Sequence, residues 1–429
     1  MKKRNAAWIT GILLASLATV PVLSAQADDT VFLSTQLRPL EEATKLKEEI
    51  LKGVDNVTVV AEEPQQFAVR IQAEASTGKH TISLLGGLHG ELQPLPGYDA
   101  LQPLDDLAAK LSDRGFPKGL MALGKLGTDH QQYIPWMQGT YVMVAKKEAL
   151  QYLPEGAELN KLTYDQLIAW GQNMLKATGQ KRIGFPAGPK GLMPRFLEGY
   201  FYPSFTGGVV RPFKSAEAEK GWQALKDLWA VVTPNSTSYD FMQEPLQADE
   251  VWVAWDHAAR IKSALAAEPD QYVVFAPPAG PHGRGYMPVV AGLAIPKGAP
   301  DPKGAEAIID HLTSPKTQIV TAQQVGFFPV TKVTLPDDLA PDVKLLADGI
   351  AATQNAPDAV VALLPIGLGD KGGEFNKVYF DTFQRIVLRG EAIPAALKEQ
   401  GAALDALMKQ QKAPCWAPDK PSDGACPVE

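Results

Sequence analysis

Cysteine is almost missing from this chain: the 429 residues hold two, Cys415 and Cys426, both in the C-terminal tail. So few cysteines exclude a disulfide-built scaffold and a thiolate-held metal finger. In an oxidising compartment the two are expected to pair as a local staple, because no histidine lies within about a hundred residues of them to complete a metal clip. Histidine is scarce as well, at six scattered copies, which disfavours a metal site, and no cofactor is expected. Basic clusters are missing: 41 Lys and Arg are interspersed among 48 Asp and Glu, for a net charge of -7. Such a surface repels phosphate backbones and anionic membranes, so a nucleic-acid partner is excluded. After the first 27 residues no segment has about 18 uninterrupted apolar residues, so no later span of a bilayer is expected. Catalytic motifs are missing too, since there is no Gly-x-Ser-x-Gly elbow, no His-Glu-x-x-His and no cysteine nucleophile outside the tail.

What is present begins with an export signal. Lys2, Lys3 and Arg4 precede an apolar run from Ala6 to Leu23, and Ala25-Gln26-Ala27 supplies the small-x-small pattern of a cleavage site. Residues 1–27 are expected to be removed, which takes the formal charge from -7 to about -10 and places the mature chain in the periplasm. Roughly 400 mature residues exceed what one hydrophobic core usually serves, so two domains are expected.

Periodicity then gives the class. Strand-like runs at Thr30–Ser34, Thr58–Ala61 and Thr81–Leu85 alternate with helical patterns at residues 40–54 and 67–75, the order of an α/β domain with mostly parallel strands. Further strands are expected at Tyr141–Ala145, Val251–Trp255, Tyr272–Ala276 and Leu293–Pro296. Thr163 with Gln166 reads as a capping box, and Asp301-Pro302 and Ser314-Pro315 read as helix starts. Ala218, Trp222, Leu225, Trp229 and Val232 form one apolar stripe, which makes both tryptophans core residues. From Leu335 to Met408 the chain reads as helices joined by a loop at Pro365–Gly373.

Four stretches in this order, "IPWMQGTYVMVAKKEAL", "LTYDQLIAWGQNM", "GLMPRFLEGYFYPSFTGG" and "GAEAIIDHLTSPKTQIVTAQQVGFFPV", resemble the extracellular solute-binding proteins that serve carbohydrate ABC importers, the maltose-binding-protein-like group. The resemblance implies a two-lobed periplasmic-binding-protein fold with a hinge and an interdomain ligand cleft. It implies a first lobe from 28–140, a second from 141–290, a return to the first at 291–340, and a helical C-terminal segment at 341–429 bearing the disulfide tail. The chain departs from the pattern where the third strand runs into Leu84-Leu85-Gly86-Gly87-Leu88-His89, and where Val290-Ala291-Gly292-Leu293 replaces a Gly-Gly-Trp, removing one aromatic platform.

Ligands of α/β domains sit beyond the carboxyl ends of strands. Positions there are Gln36, Arg38, Gln66, His89 and the cluster Trp255, Asp256, His257 and Arg260. Trp136, Tyr200 and Trp255 are candidates for the flat faces that a sugar ring needs. Glu198, Asp256, His257, Arg260 and His89 can supply charge-assisted hydrogen bonds, each worth about 1.5 to 3 kcal/mol when shielded from water. Trp136 is a candidate because it follows Pro135 at a loop; plainer readings stand beside these, with Trp255 as core, His89 as a solvent-exposed loop residue, and Asp256 with Arg260 as an ordinary helix-start ion pair. The function implied is capture of a sugar, glycoside or polyol by a monomer that delivers it to a membrane permease. An anionic sugar clamped by Arg38, Arg260 and Arg284 is the alternative. A glycoside-cleaving enzyme using two carboxylates is less favoured, and no enzyme is expected.

Overall fold

Short β-branched and apolar runs form the strands, and the helices between them cover the sheet faces. The structure, a computed structural model, describes residues 29–37 and 40–429; the expected signal segment and the candidate Arg38 lie outside the described residues. In chain order come β1 (Thr30–Ser34), β2 (Val57–Ala61), β3 (Leu84–Leu88), β4 (Ile134–Gly139), β5 (Tyr141–Lys146) and β6 (Ile183–Gly184). They are followed by β7 (Val253–His257), β8 (Tyr272–Phe275), β9 (Arg284–Tyr286), β10 (Val289–Ala294) and β11 (Ala359–Val361). One sheet has the order β2-β1-β3-β10-β4 and a second the order β6-β7-β5-β8, while β9 and β11 form a separate pair.

Each sheet organises one lobe. In the first, β1, β2 and β3 are parallel as expected, but β10 runs antiparallel to both of its neighbours because it arrives from the other lobe. Phe32, Leu84, Trp136, Leu293 and Ile308 are among the residues that fill this core. The second core gathers Trp170, Phe196, Trp222, Trp255 and Tyr379. Helices Pro341–Gln354 and Gly372–Phe383 also pack on the second lobe, against β8 and Met193–Phe196 respectively.

Several of the sequence expectations shift: the strand expected at Val251–Trp255 runs from Val253 to His257, and the one expected at Leu293–Pro296 is Val289–Ala294. The third strand is displaced from Thr81–Leu85 to Leu84–Leu88, so its glycines lie within the strand. They fit there because a Cβ on Gly86 would come within 2.8 Å of the Phe32 ring, the close packing that marks glycine inside a strand. β11, within the segment read as helix and loop, was not foreseen; at three residues it is too short for period-two alternation to register.

The capping signals hold. Thr163 Oγ1 accepts from Gln166 N at 3.2 Å while Gln166 returns its side-chain oxygen to Thr163 N at 3.0 Å. Asp301 caps Gly304 and Ser314 caps Thr317, each such cap contributing about 1 kcal/mol. Trp222 is wholly buried and donates to Tyr202 Oη at 2.8 Å, and Trp229 is half-buried with its edge on Phe383.

The sheets are joined where β4 passes into β5 through a single residue, Thr140. Its hydroxyl meets Tyr200 Oη at 2.9 Å and Met287 O at 3.1 Å, and its carbonyl accepts from Ala258 N at 3.0 Å. Met287 itself lies just before β10, so the outward and return passages are tied together. In the tail, Cys415 and Cys426 are bonded, and the buried Asp419 carboxylate accepts from the amides of Val209, Val210 and Arg211 at 2.9, 2.8 and 3.1 Å.

Candidate functional site

Alternation along β5 and β7 decides what each side chain can reach. The register pairs Tyr141 with His257 and Met143 with Trp255, so these four share one face, while Val142 and Asp256 share the other. On the first face Tyr141 stacks on Trp255 with centroids 4.8 Å apart and planes 4° from parallel. Phe196 and Tyr200 bring ring edges to Trp255 at 5.1 and 5.3 Å, and His257 stands edge-on to Tyr141 at 5.1 Å. Trp255, Tyr200 and His257 are therefore brought together, with Tyr141 as a platform the sequence reading missed.

Asp256 is not part of that group. Turned to the opposite face and fully buried, it accepts from Met242 N at 2.9 Å and His257 N at 2.7 Å. Nor does it form the helix-start ion pair its spacing allows. Arg260 instead lies over the Phe241 ring at 4.3 Å and donates to Asp240 O. Arg284, a candidate anion clamp, is occupied by Asp358 and by the carbonyls of Leu162 and Pro277. Trp136, expected after Pro135 in a loop, lies inside β4, wholly buried in the first core with Phe32 edge-on at 5.7 Å. Its faces are taken by protein.

The segment Met193–Thr206 covers the aromatic face and changes from α to π geometry at Leu197–Phe201, the kind of turn often found at functional positions. Arg195 Nη1 pairs with Glu198 Oε2 at 2.9 Å. Glu198 is 1% exposed, and its second oxygen has no protein partner; the buried Trp255 Nε1 has none either. Buried polar atoms are nearly always paired, and these two share the exception with Trp136 Nε1 and Tyr164 Oη, among others; what sets them apart is their place beside the segment of Arg195, which lines the cleft. Tyr200 Oη, by contrast, is already engaged with Thr140 and Tyr141 N.

A cleft of about 230 Å³ opens between the lobes. The first lobe contributes Pro64, Leu88 and Glu91, from the segments that follow β2 and end β3. Glu91 is fixed by accepting from Leu88 N at 2.8 Å and from the Thr35 hydroxyl. The second lobe contributes Arg195 and the loop residues Pro365 and Leu368. Gln36 is half-buried beside this region, with its amide on Thr35 Oγ1 at 2.8 Å. Gln66 is exposed on the helix that presents Pro64 and Ala68 to the cleft. His89 is turned into the first lobe, its Nδ1 3.0 Å from Tyr133 Oη. Arg195 and Glu91 escaped the sequence reading, though Arg195 stands three residues before Glu198, a spacing that pairs side chains on a helix.

Burial sets the titration of this region. It pushes Glu198 up to about 7 against the opposing pull of Arg195, and Asp256 up to about 6. His89 and His257 are driven down to about 4 and about 3. A carboxyl raised on folding contributes stability that is complete below its unfolded value near 4.5 and is lost as pH rises through about 7. Glu198→Gln is therefore expected to remove about 3 kcal/mol of pH-dependent loss of stability between about pH 4.5 and 8. Urea unfolding at the two pH values checks this, and equal declines in both proteins would refute it. The histidines, depressed on folding, act in the opposite direction: their contribution is complete above about 6.5 and is lost as pH falls from there through about 4 and 3, so the carboxyl's share is read from the difference between the two proteins and not from wild type alone.

Among the described residues no group of three His, Cys, Asp or Glu is arranged to hold a metal, and no helix is long and apolar enough to cross a membrane. The sequence profile of the bacterial extracellular solute-binding proteins matches residues 44–319. No curated protein sequence matches the chain. Among solved structures, a maltose-bound protein of T. maritima is similar at TM-score 0.71 and 17% identity, over 89% of this chain and 100% of that one. UgpB from Mycobacterium tuberculosis in complex with glycerophosphocholine is similar at TM-score 0.69 and 15% identity, over 89% and 99%. An ABC transporter solute-binding protein from Agrobacterium vitis with bound D-mannitol is similar at TM-score 0.68 and 17% identity, over 90% and 100%. At such identities the likeness establishes a common fold.

Proposed function

The chain belongs to the bacterial extracellular solute-binding protein family, and from that membership we propose that it captures a carbohydrate or polyol between its lobes and delivers it to the permease of an ABC importer. The observation that carries the choice of ligand is the pair of buried, unpartnered polar atoms, Glu198 Oε1 and Trp255 Nε1, beside a stacked Tyr141–Trp255 platform. Indole and phenol faces suit the C–H surface of a sugar, and a carboxylate with an indole N–H suits its hydroxyls. Glu198, Trp255, Tyr200, His257, Gln36 and Gln66 are retained on this reading, and Arg195, Glu91 and Tyr141 join them. Arg38 is retained from the sequence. His89, Asp256, Arg260 and Trp136 act as supports behind the site.

On the same reading the protein is an exported periplasmic monomer whose lobes divide near Thr140 and again near 287–291, with residues from 341 onward returning to the second lobe. It binds without altering its ligand. The Arg195 guanidinium in the cleft wall favours one second reading, an anionic sugar derivative. Thermal shift and calorimetry with maltose, D-mannitol, tagatose and glycerol phosphate separate the two. A ligand at about 1,000 times its Kd stabilises the folded form by about 4 kcal/mol. A response to a neutral sugar or polyol is expected. A response to glycerol phosphate alone would support the anion, and steady release of product from glycosides would end both.

A further inference from the structure

The cleft wall formed by Leu364, Pro365 and Leu368 belongs to a loop, residues 362–369, that is held from three sides. Its beginning is fixed to the second lobe, where Ala362 N donates to Tyr286 O at 2.8 Å. Its outer side rests on the C-terminal tail: Leu363 N donates to Ala417 O at 3.0 Å, and Gly367 lies so near Pro414 and Ala413 that a Cβ would come within 2.8 Å of the proline ring. Gly367 also takes a left-handed φ of 73°, which glycine adopts without strain. Its inner side meets the first lobe. Gly367 N donates to Gln93 Oε1 at 3.1 Å, and Pro365 O fills the space that a Cβ on Gly90 would need.

The tail beneath this loop is a hoop closed by Cys415–Cys426, both buried. Within it Cys426 N donates to Ala413 O at 2.8 Å and Cys415 N to Ser422 Oγ at 2.9 Å. Trp416 sets its ring against Phe375 at 5.4 Å, on the helix that presents Gly372, Gly373 and Asn376 to the cleft. Asp419 pins the far side of the hoop to the amides of residues 209–211. The disulfide thus closes the part of the tail on which the cleft loop sits.

We propose that the disulfide-bonded tail is a positioning element for the cleft: it seats the 362–369 loop so that Gly367 and Pro365 bridge to the first lobe and hold the apolar wall in place. The effect on capture rests on the reading of the cleft as the ligand site, but the mechanical link does not. Amide hydrogen exchange on the ligand-free protein tests that link. Removing the bond in C415S/C426S is expected to speed exchange across 362–369 by about tenfold or more, with the cores unchanged. Gln93→Leu should do the same for Gly367, Gln93→Glu should restore protection by keeping the acceptor, and the double change should fall short of the sum, the mark of a shared element. If the cysteine variant fails to fold, wild-type protein treated with a thiol reductant takes its place. Unchanged exchange at 362–369 after loss of the bond, or simple additivity with Gln93→Leu, overturns the proposal. With whichever sugar the thermal-shift panel returns, dissociation should quicken in the same variants; a panel without binders counts against the ligand reading and leaves the exchange result to decide this one.

Discussion

Replacing Trp255 by alanine is expected to cost about 3 to 5 kcal/mol of unfolding free energy and to abolish ligand capture in the fraction that folds. The side chain is wholly buried between a stacked Tyr141 and the edges of Phe196 and Tyr200, so truncation empties a volume that rigid rings cannot close. Trp136→Ala is the control. It should cost a similar amount, since Trp136 is equally buried, yet its position in the first core leaves the platform intact. Urea unfolding gives the two stabilities, and calorimetric titration below both transitions gives the two affinities. If Trp255→Ala binds as tightly as wild type, the platform is no part of the ligand site.

Arg195→Met should be nearly as damaging, and its signature is pH. The substitution strips the counter-charge from a carboxylate that is 1% exposed, and breaking a buried pair from one side costs about 3 to 5 kcal/mol. The carboxyl escapes much of that cost by holding its proton, so the loss should be largest above about pH 8 and shrink toward pH 5. Adding Glu198→Gln to Arg195→Met should recover most of the stability without recovering affinity. A loss independent of pH, or one that Glu198→Gln does not relieve, would mean that the pair is not electrostatically coupled.

Strand composition made the α/β class and most elements legible, and the helix starts at Thr163, Asp301 and Ser314 were readable because a cap is a local device. Residues whose role depends on a neighbour far along the chain were harder. Trp136 looked like a loop aromatic because Pro135 precedes it, yet Pro135 is accommodated opposite a register shift between β4 and β10. Asp256 sits next to Trp255, and only the pleat reveals that adjacent residues face apart. Arg195 and Glu91 converge on the cleft from segments about a hundred residues apart, which no local pattern encodes. The loop read at Pro365–Gly373 looked like a plain connector because the partners of its first residues, Gln93 and the tail, lie far off along the chain.

The slot that β10 takes between β3 and β4 has a consequence for how the molecule is made. Residues 30–139 supply four of the five strands of the first sheet, but its interior position is filled only by residues 289–294. Until those residues are synthesised, β3 and β4 each present an unpaired edge, the surface on which nascent chains associate wrongly. The lobe that emerges first is therefore finished second, after the strands of the other sheet, all encoded between 141 and 275, are already available to pair.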